Sequence, residues 1–322
     1  MNQGDLSNRC PICQSGPNPL FSDRQWPLPF GGREFAVYSC QKCRGYFTWP
    51  RPTPAELARF YGEFYNYTWF KRHEAFKKIQ AWHRWRRMRR MLRRFQGGGR
   101  RMLDIGCGHG HFLIHAKRDG WETLGADFAS PATEFARSHY GLKVAEGDFQ
   151  ELAGTDPLCN DSFDLITMWH CLEHTVDPVK FLESAARLVK ADGLIVVAVP
   201  NSGCSAFRRL REQWTWYQEP FVHTVHLNEP SVRAAGGRAG LDVVSVTSRD
   251  TWDANWLCDE FLYHECQFFG RAMRVFGSTP RFWAEESVRM FLYGVGAMKY
   301  WALGVESTAH SGQELLAVFR RR

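Results

Sequence analysis

Between residues 100 and 250 the chain alternates nearly continuous apolar runs with stretches in which apolar positions recur at helical spacing. A run ending at Ile105, and further runs over 121–126, 143–147, 163–170, 194–199 and 241–248, have the length and composition of strands covered on both faces. Between them, residues 109–119, 130–140 and 177–190 read as helices. Strand and helix in strict alternation predict a doubly wound α/β sheet. Ahead of this region, Trp85, Met88, Met91, Leu92 and Phe95 fall on one arc of a helical wheel. The arginines around them, Arg84 excepted, fall on the opposite arc.

At the first strand-to-helix junction stands Leu103-Asp104-Ile105-Gly106-Cys107-Gly108-His109-Gly110. Glycines at alternate positions let a backbone turn sharply and approach a ligand closely. Asp127 ends the second strand, where a nucleoside site needs a carboxylate for the ribose hydroxyls. Asp148 ends the third. An acid at 104 beside the loop, without a third phosphate-spaced glycine, argues against a dinucleotide.

These motifs resemble the class I S-adenosylmethionine-dependent methyltransferases. The likeness runs from about residue 102 to 246, carried by Asp104 to Gly110, by Asp127-Phe128, by Asp148-Phe149 and by Phe163-Asp164-Leu165-Ile166. It implies a Rossmann-like seven-stranded sheet closed by a last strand over 314–319. It also implies S-adenosylmethionine held by Asp104, Gly106, Cys107, Gly108, Gly110, Asp127, Phe128, Asp148, Phe149 and His170. His170-Cys171-Leu172-Glu173-His174 follows the fourth strand. Its letters match a metalloprotease pattern, but that pattern needs a helix and here a strand leads straight in. In the resembling enzymes this loop lies over the sulfonium, so Glu173 or His174 is expected to face the substrate, both being candidate catalytic residues.

Cys10-x2-Cys13 and Cys40-x2-Cys43 together present four thiolates, a closed tetrahedral shell for a structural zinc. Two disulfides are the competing arrangement. The region from 10 to 70 resembles the zinc-knuckle segment of bacterial methyltransferases associated with sugar and glycan tailoring. That likeness implies a saccharide or other small-molecule acceptor. It implies too that the insertion over 201–230, with His223 and His226 as candidate bases, helps to cap it. An RNA acceptor is the rival, since the arginine helix could track phosphates. A non-catalytic cofactor-binding subunit is another.

Of the 322 residues 44% are apolar, enough for a packed core with additions. The predicted organisation is a zinc-knuckle domain over 1–54, a helical linker or lid over 55–99 and a methyltransferase domain over 100–322. Its insertions at 201–230 and 250–312 would form a cap, the second of them rich in aromatics. Thr53 and Glu56 form a capping box for a helix after the linker prolines. Tyr65 and Tyr67 are candidates to close over the cofactor. Net charge is +7, and seven arginines lie between Arg84 and Arg94. Without them the remaining 34 basic residues match the 34 acidic ones, so the chain carries one basic helix and is otherwise balanced. That helix suits an anionic lipid surface, a nucleotide-linked substrate or RNA as well as plain solvation. The polar start and the Lys299 that interrupts the apolar stretch over 290–305 predict a cytoplasmic protein without a membrane span, with peripheral membrane contact or homodimer formation left open.

Overall fold

The computed structural model describes residues 8–28, 30–60, 63, 74–93, 99–214, 221–249 and 312–322. Tyr65, Tyr67, Phe95, the stretch over 290–305 and nearly all of the 250–312 insertion lie outside these residues.

The N-terminal segment forms β1 (Trp26–Pro27), β2 (Glu34–Ser39) and β3 (Tyr46–Trp49), an antiparallel set that the sequence pattern alone did not disclose. Helix α1 (Pro54–Arg59) follows with the expected capping box: Thr53 Oγ1 accepts the Glu56 N–H at 3.2 Å and Glu56 accepts the Thr53 N–H at 2.7 Å. Arg33 clamps the same carboxylate, its Nε 3.0 Å from Glu56 Oε1. The arginine helix is α2 (Glu74–Leu92), and the wheel holds: Ala81, Trp85 and Met88 are buried while Arg86, Arg89 and Arg90 are exposed.

The core then runs β4 (Arg101–Ile105), α3 (His111–Arg118), β5 (Glu122–Asp127), α4 (Ser130–Tyr140), β6 (Lys143–Glu146), α5 (Phe149–Leu152), β7 (Phe163–Trp169), α6 (Pro178–Leu188) and β8 (Val189–Pro200). After it come α7 (Ser205–Leu210), the short β9 (Val225–His226), α8 (Glu229–Arg238), β10 (Leu241–Arg249) and β11 (Glu314–Arg321). Helix starts follow their caps. Asp177 accepts the Lys180 N–H ahead of Pro178, and Asn228 forms a capping box with Ser231 ahead of α8.

Seven strands make one mixed sheet in the order β10-β11-β8-β7-β4-β5-β6, parallel from β8 to β6 and antiparallel at β10 and β11. Order reverses at β4, where the chain leaves outward to β5 on one side while β7 pairs on the other. A crevice at the carboxyl ends of the strands opens there. Leu103, Leu113, Leu165 and Ile195 are fully buried beneath it. Each such side chain contributes roughly 1.5–3 kcal/mol by leaving water.

The 201–230 insertion delivers β9, which pairs with β3 of the N-terminal sheet through Tyr46–His226 and Phe47–Val225. The described part of this insertion therefore completes the N-terminal sheet. The N-terminal core is also continuous with the main one: Cys10, Ile12 and Phe47 share a cluster with Leu103, Val225 and Val232.

Candidate functional site

The glycine loop leaves β4 with Gly106, Gly108 and Gly110 at φ of +72°, +50° and +74°. Two of these glycines serve packing. A Cβ on Gly110 would lie 2.4 Å from Leu142 Cδ1, and one on Gly106 would lie 3.0 Å from Cys171 Sγ. Gly108 differs, because a Cβ there would meet nothing within 4 Å. It faces an open cradle at the switch point of the sheet.

Asp127 closes that cradle from β5. Its Oδ2 accepts the Gly108 N–H at 2.8 Å and its Oδ1 accepts the Ala129 N–H at 2.9 Å. The carboxylate is thereby aimed, and each oxygen retains a lone pair for a ligand hydroxyl. Burial raises its pKa, against the pull of those backbone donors. Phe128 follows, 55% exposed beside the cradle. Asp148 is exposed and caps α5, accepting the Gln150 N–H at 2.7 Å.

Three expected cofactor residues have their side chains packed or hydrogen-bonded within the protein. Phe149 is buried against Phe181, ring centres 4.8 Å apart, so it belongs to the core. Cys107 points its thiol toward Gly125, leaving only its backbone to the loop. Asp104 is 2% exposed and accepts the Thr167 hydroxyl at 2.6 Å. Burial pushes its pKa up to about 7, with Thr167 and Arg84 opposing. Asp104 thus lies under the cradle, between β4 and β7.

The 170–174 loop rests on the glycine turn through Cys171. His170 adopts φ +52°, which turns its ring inward. Its nitrogens lie 3.3 Å from Glu173 Oε1 and 3.2 Å from Glu314 Oε2. Burial alone would lower its pKa, but these two carboxylates raise it to about 9. With both nitrogens facing acids, His170 organises the loop. Glu314 also receives Arg249 Nε at 2.6 Å and Arg84 at 3.6 Å. Those cations hold its carboxyl well below the usual range despite burial. Arg84 lies 5.0 Å over the Trp169 ring. Its exclusion from the arginine arc has this structural counterpart. Glu314 and Arg249 carried no local sequence signal, since their partners are distant in the chain.

Glu173, His174 and His223 meet above this network, one ligand atom from each lying within 4.8 Å of the others. Leu172–His174 is a single 3-10 turn, so the helical metalloprotease arrangement is absent from it. His174 Nδ1 lies 2.7 Å from the Val222 carbonyl, and a carbonyl only accepts. The proton therefore sits on Nδ1, leaving Nε2 as the basic nitrogen. Glu173 is 1% exposed. His226, the third histidine expected as a base, is 2% exposed and its pKa is lowered by burial to about 3. It stays neutral and is too weak a base for chemistry near pH 7, which corrects that expectation.

The four cysteines converge as their spacing predicts, with ligand atoms within 4.8 Å of one another. Cys10 and Cys43 sulfurs are 3.5 Å apart and Cys13 and Cys40 sulfurs 3.4 Å apart, far longer than the ~2.05 Å of a disulfide. Backbone N–H groups of Ile12 and Cys43 donate to Cys10 and Cys40 sulfurs, each at 3.4 Å. This centre is tied to the histidines. Thr48 N–H donates to the Thr224 carbonyl at 2.9 Å, and Thr224 Oγ1 donates to the Thr175 carbonyl at 2.6 Å. Arg238 reaches the Ile12 carbonyl at 2.6 Å. Among the described residues no helix is long and apolar enough to cross a membrane.

A family model described as a methyltransferase domain matches residues 72–246, more than half of the sequence. The ubiquinone biosynthesis O-methyltransferase of Paracidovorax citrulli is 30% identical over 164 residues, covering 48% of this chain and 65% of that protein. Its namesake from Neisseria meningitidis serogroup A is 33% identical over 119 residues, covering 35% and 49%. The chain thus spans about half to two thirds of the curated relatives it matches. The crystal structure of a SAM-dependent methyltransferase from Archaeoglobus fulgidus shares 19% identity, covering 79% of this chain and 99% of that one at a TM-score of 0.49. The names of these relatives speak of ubiquinone biosynthesis.

Proposed function

The chain belongs to the methyltransferase-domain family, and from that premise we propose that it binds S-adenosylmethionine at the Gly108–Asp127 cradle and methylates an acceptor hydroxyl beside Glu173, His174 and His223. The observation that carries the donor site is the aimed carboxylate of Asp127 next to the one loop glycine whose missing side chain leaves open space. A carboxylate accepting from both ribose hydroxyls makes charge-assisted bonds, about twice as strong as neutral ones. No basic side chain is needed there for a pyrophosphate, which the donor lacks. An oxygen acceptor is supported by the O-methyltransferase names of the relatives.

S-adenosylmethionine, when bound, supplies an electrophilic methyl group and leaves as a neutral thioether. The chain's own part is orientation and proton removal. Nε2 of His174 takes the hydroxyl proton as the acceptor oxygen gains the methyl, and Glu173 stabilises the resulting imidazolium. His223, with its ring centre 4.7 Å from that of His174, walls the same spot. Zinc fits the four cysteines: sulfurs at about 2.3 Å from a tetrahedral metal stand roughly 3.8 Å apart, close to the spacing present. Such a closed shell leaves no position for substrate, and its task is to fix β3, and through β3 the strand that bears His226 and follows His223.

The test is transfer of a labelled methyl group to hydroxyl acceptors by the zinc-loaded protein, beside Glu173→Gln and His174→Gln. Transfer lost in both variants with donor affinity kept supports the assignment. Donor binding without transfer until a second protein is added would make the chain a cofactor-binding subunit.

A further inference from the structure

Helix α2 is held by its inner face and leaves an unusual outer one. Trp85 and Met88 are buried against the core, and Trp85 Nε1 donates to Asp119 at 2.6 Å, so the helix is anchored rigidly. Ile79 and Trp82 are 52% and 43% exposed on its outer side. At about 100° per residue they share an arc of roughly 100° with Arg86, Arg89, Arg90 and Arg93. Spread over the fifteen positions from Ile79 to Arg93, this stripe is about 20 Å long. A recess of ≈ 380 Å³ opens along it, lined by Trp82, Trp85 and the four arginines. Arg86 lies 5.4 Å over the Trp82 ring, so cation and indole present one amphipathic surface.

We propose that this face of α2 rests on an anionic phospholipid surface, with Ile79 and Trp82 entering the headgroup boundary and Arg86, Arg90 and Arg93 meeting lipid phosphates. Arg89 is already paired with Asp119 at 3.2 Å and contributes less. Charge complementarity selects the partner class, and the apolar pair selects within it. A tryptophan beside arginines would serve nucleic acid as well, by stacking. A half-exposed isoleucine on the same stripe gains nothing from a phosphodiester backbone, whereas at a lipid boundary it leaves water. Isolated exposed apolar residues are ordinary, but here two stand one helical turn apart within a cationic stripe. The proposal is independent of the chemistry assigned to the cradle.

The experiment is flotation of the zinc-loaded protein with vesicles of phosphatidylcholine alone and with about a third phosphatidylglycerol. At roughly 1 kcal/mol per cation near such a surface, neutralising three arginines should weaken binding to the anionic vesicles about a hundredfold. The expected result is flotation with anionic vesicles only, lost in Arg86→Gln/Arg90→Gln/Arg93→Gln and weakened at least severalfold in Trp82→Ser or Ile79→Asn, with unfolding temperatures near wild type. Arg→Lys at the three positions should retain binding. No flotation at physiological salt, or equal flotation of the triple variant, overturns the proposal. So does salt-sensitive binding of a single-stranded RNA without vesicle binding, which would assign the stripe to nucleic acid.

Discussion

Replacing Asp127 with alanine separates two jobs that this carboxylate performs. In the folded chain it accepts from Gly108 and Ala129 at 2.8 and 2.9 Å, so it shapes the loop before any ligand arrives. Removing it leaves two backbone N–H groups without that acceptor, at about 1–3 kcal/mol each where water cannot reach them. Against this, the carboxylate is itself strained by burial, as its raised pKa shows, and losing it relieves that cost. The net loss of stability without ligand is therefore expected to be modest, roughly 1–3 kcal/mol. The donor loses more: two hydrogen bonds to a charged group at about 1.5–3 kcal/mol each amount to roughly a hundredfold to ten-thousandfold in affinity. Asp127→Asn should lose nearly as much, since its amide NH2 must point at one of the two backbone donors. Calorimetric titration with S-adenosylhomocysteine, beside thermal unfolding of the same preparations, measures both quantities. An Asp127→Ala protein that unfolds cooperatively and still binds within threefold of wild type would refute the reasoning.

The loop glycines should diverge. Gly110→Ala places a methyl 2.4 Å from Leu142 at φ +74° and is expected to prevent stable folding, read by solubility and unfolding temperature. Gly108→Ala, facing open space at φ +50°, should cost only about 1–2 kcal/mol of stability yet abolish donor binding. Stability should fall with rising pH on account of His170. Its pKa rises from 6.5 to about 9 on folding, so its contribution is complete below pH 6.5 and lost as pH climbs through 9. Asp104, raised from 3.8 to about 7, acts in the same sense: its share is present below 3.8 and lost through 7. Urea midpoints between pH 6 and 9.5 should therefore decline, by up to about 3 kcal/mol from His170, and His170→Gln should flatten the upper part of the curve. The protein should contain one zinc per chain by elemental analysis. Chelation should expose the Val225 and His226 amides to hydrogen exchange while those of β4 and β7 stay protected.

Local pattern carried most of the sheet. Helix α4 begins and ends where its period places it, and β10 overran its expected end by the single residue Arg249. Strand β8 begins at Val189, five residues earlier than its apolar run, because Lys190, Asp192 and Gly193 interrupt that run and hide the start of the pairing with β7. The convergence of the cysteine pairs was legible because each C-x2-C spacing brings two thiols together on one tight turn. Strand β9 was not, since two residues show no periodicity and only pairing with β3 defines them. For the same reason the sequence did not show that this insertion also contributes a strand to the N-terminal sheet. In the site, glycine loop and Asp127 were readable as a motif. The Arg84, His170, Arg249 and Glu314 cluster was not, since it joins residues brought together only by folding. His226 was misread because sequence shows a titratable ring and not the burial that keeps it neutral.

The most direct measurement is calorimetric titration of the wild-type, zinc-loaded protein with S-adenosylhomocysteine, with NAD as the comparison. The Gly108–Asp127 cradle predicts one site per chain for the sulfur nucleoside and no measurable binding of the dinucleotide. Absence of binding at millimolar nucleoside, or preference for the dinucleotide, would contradict it.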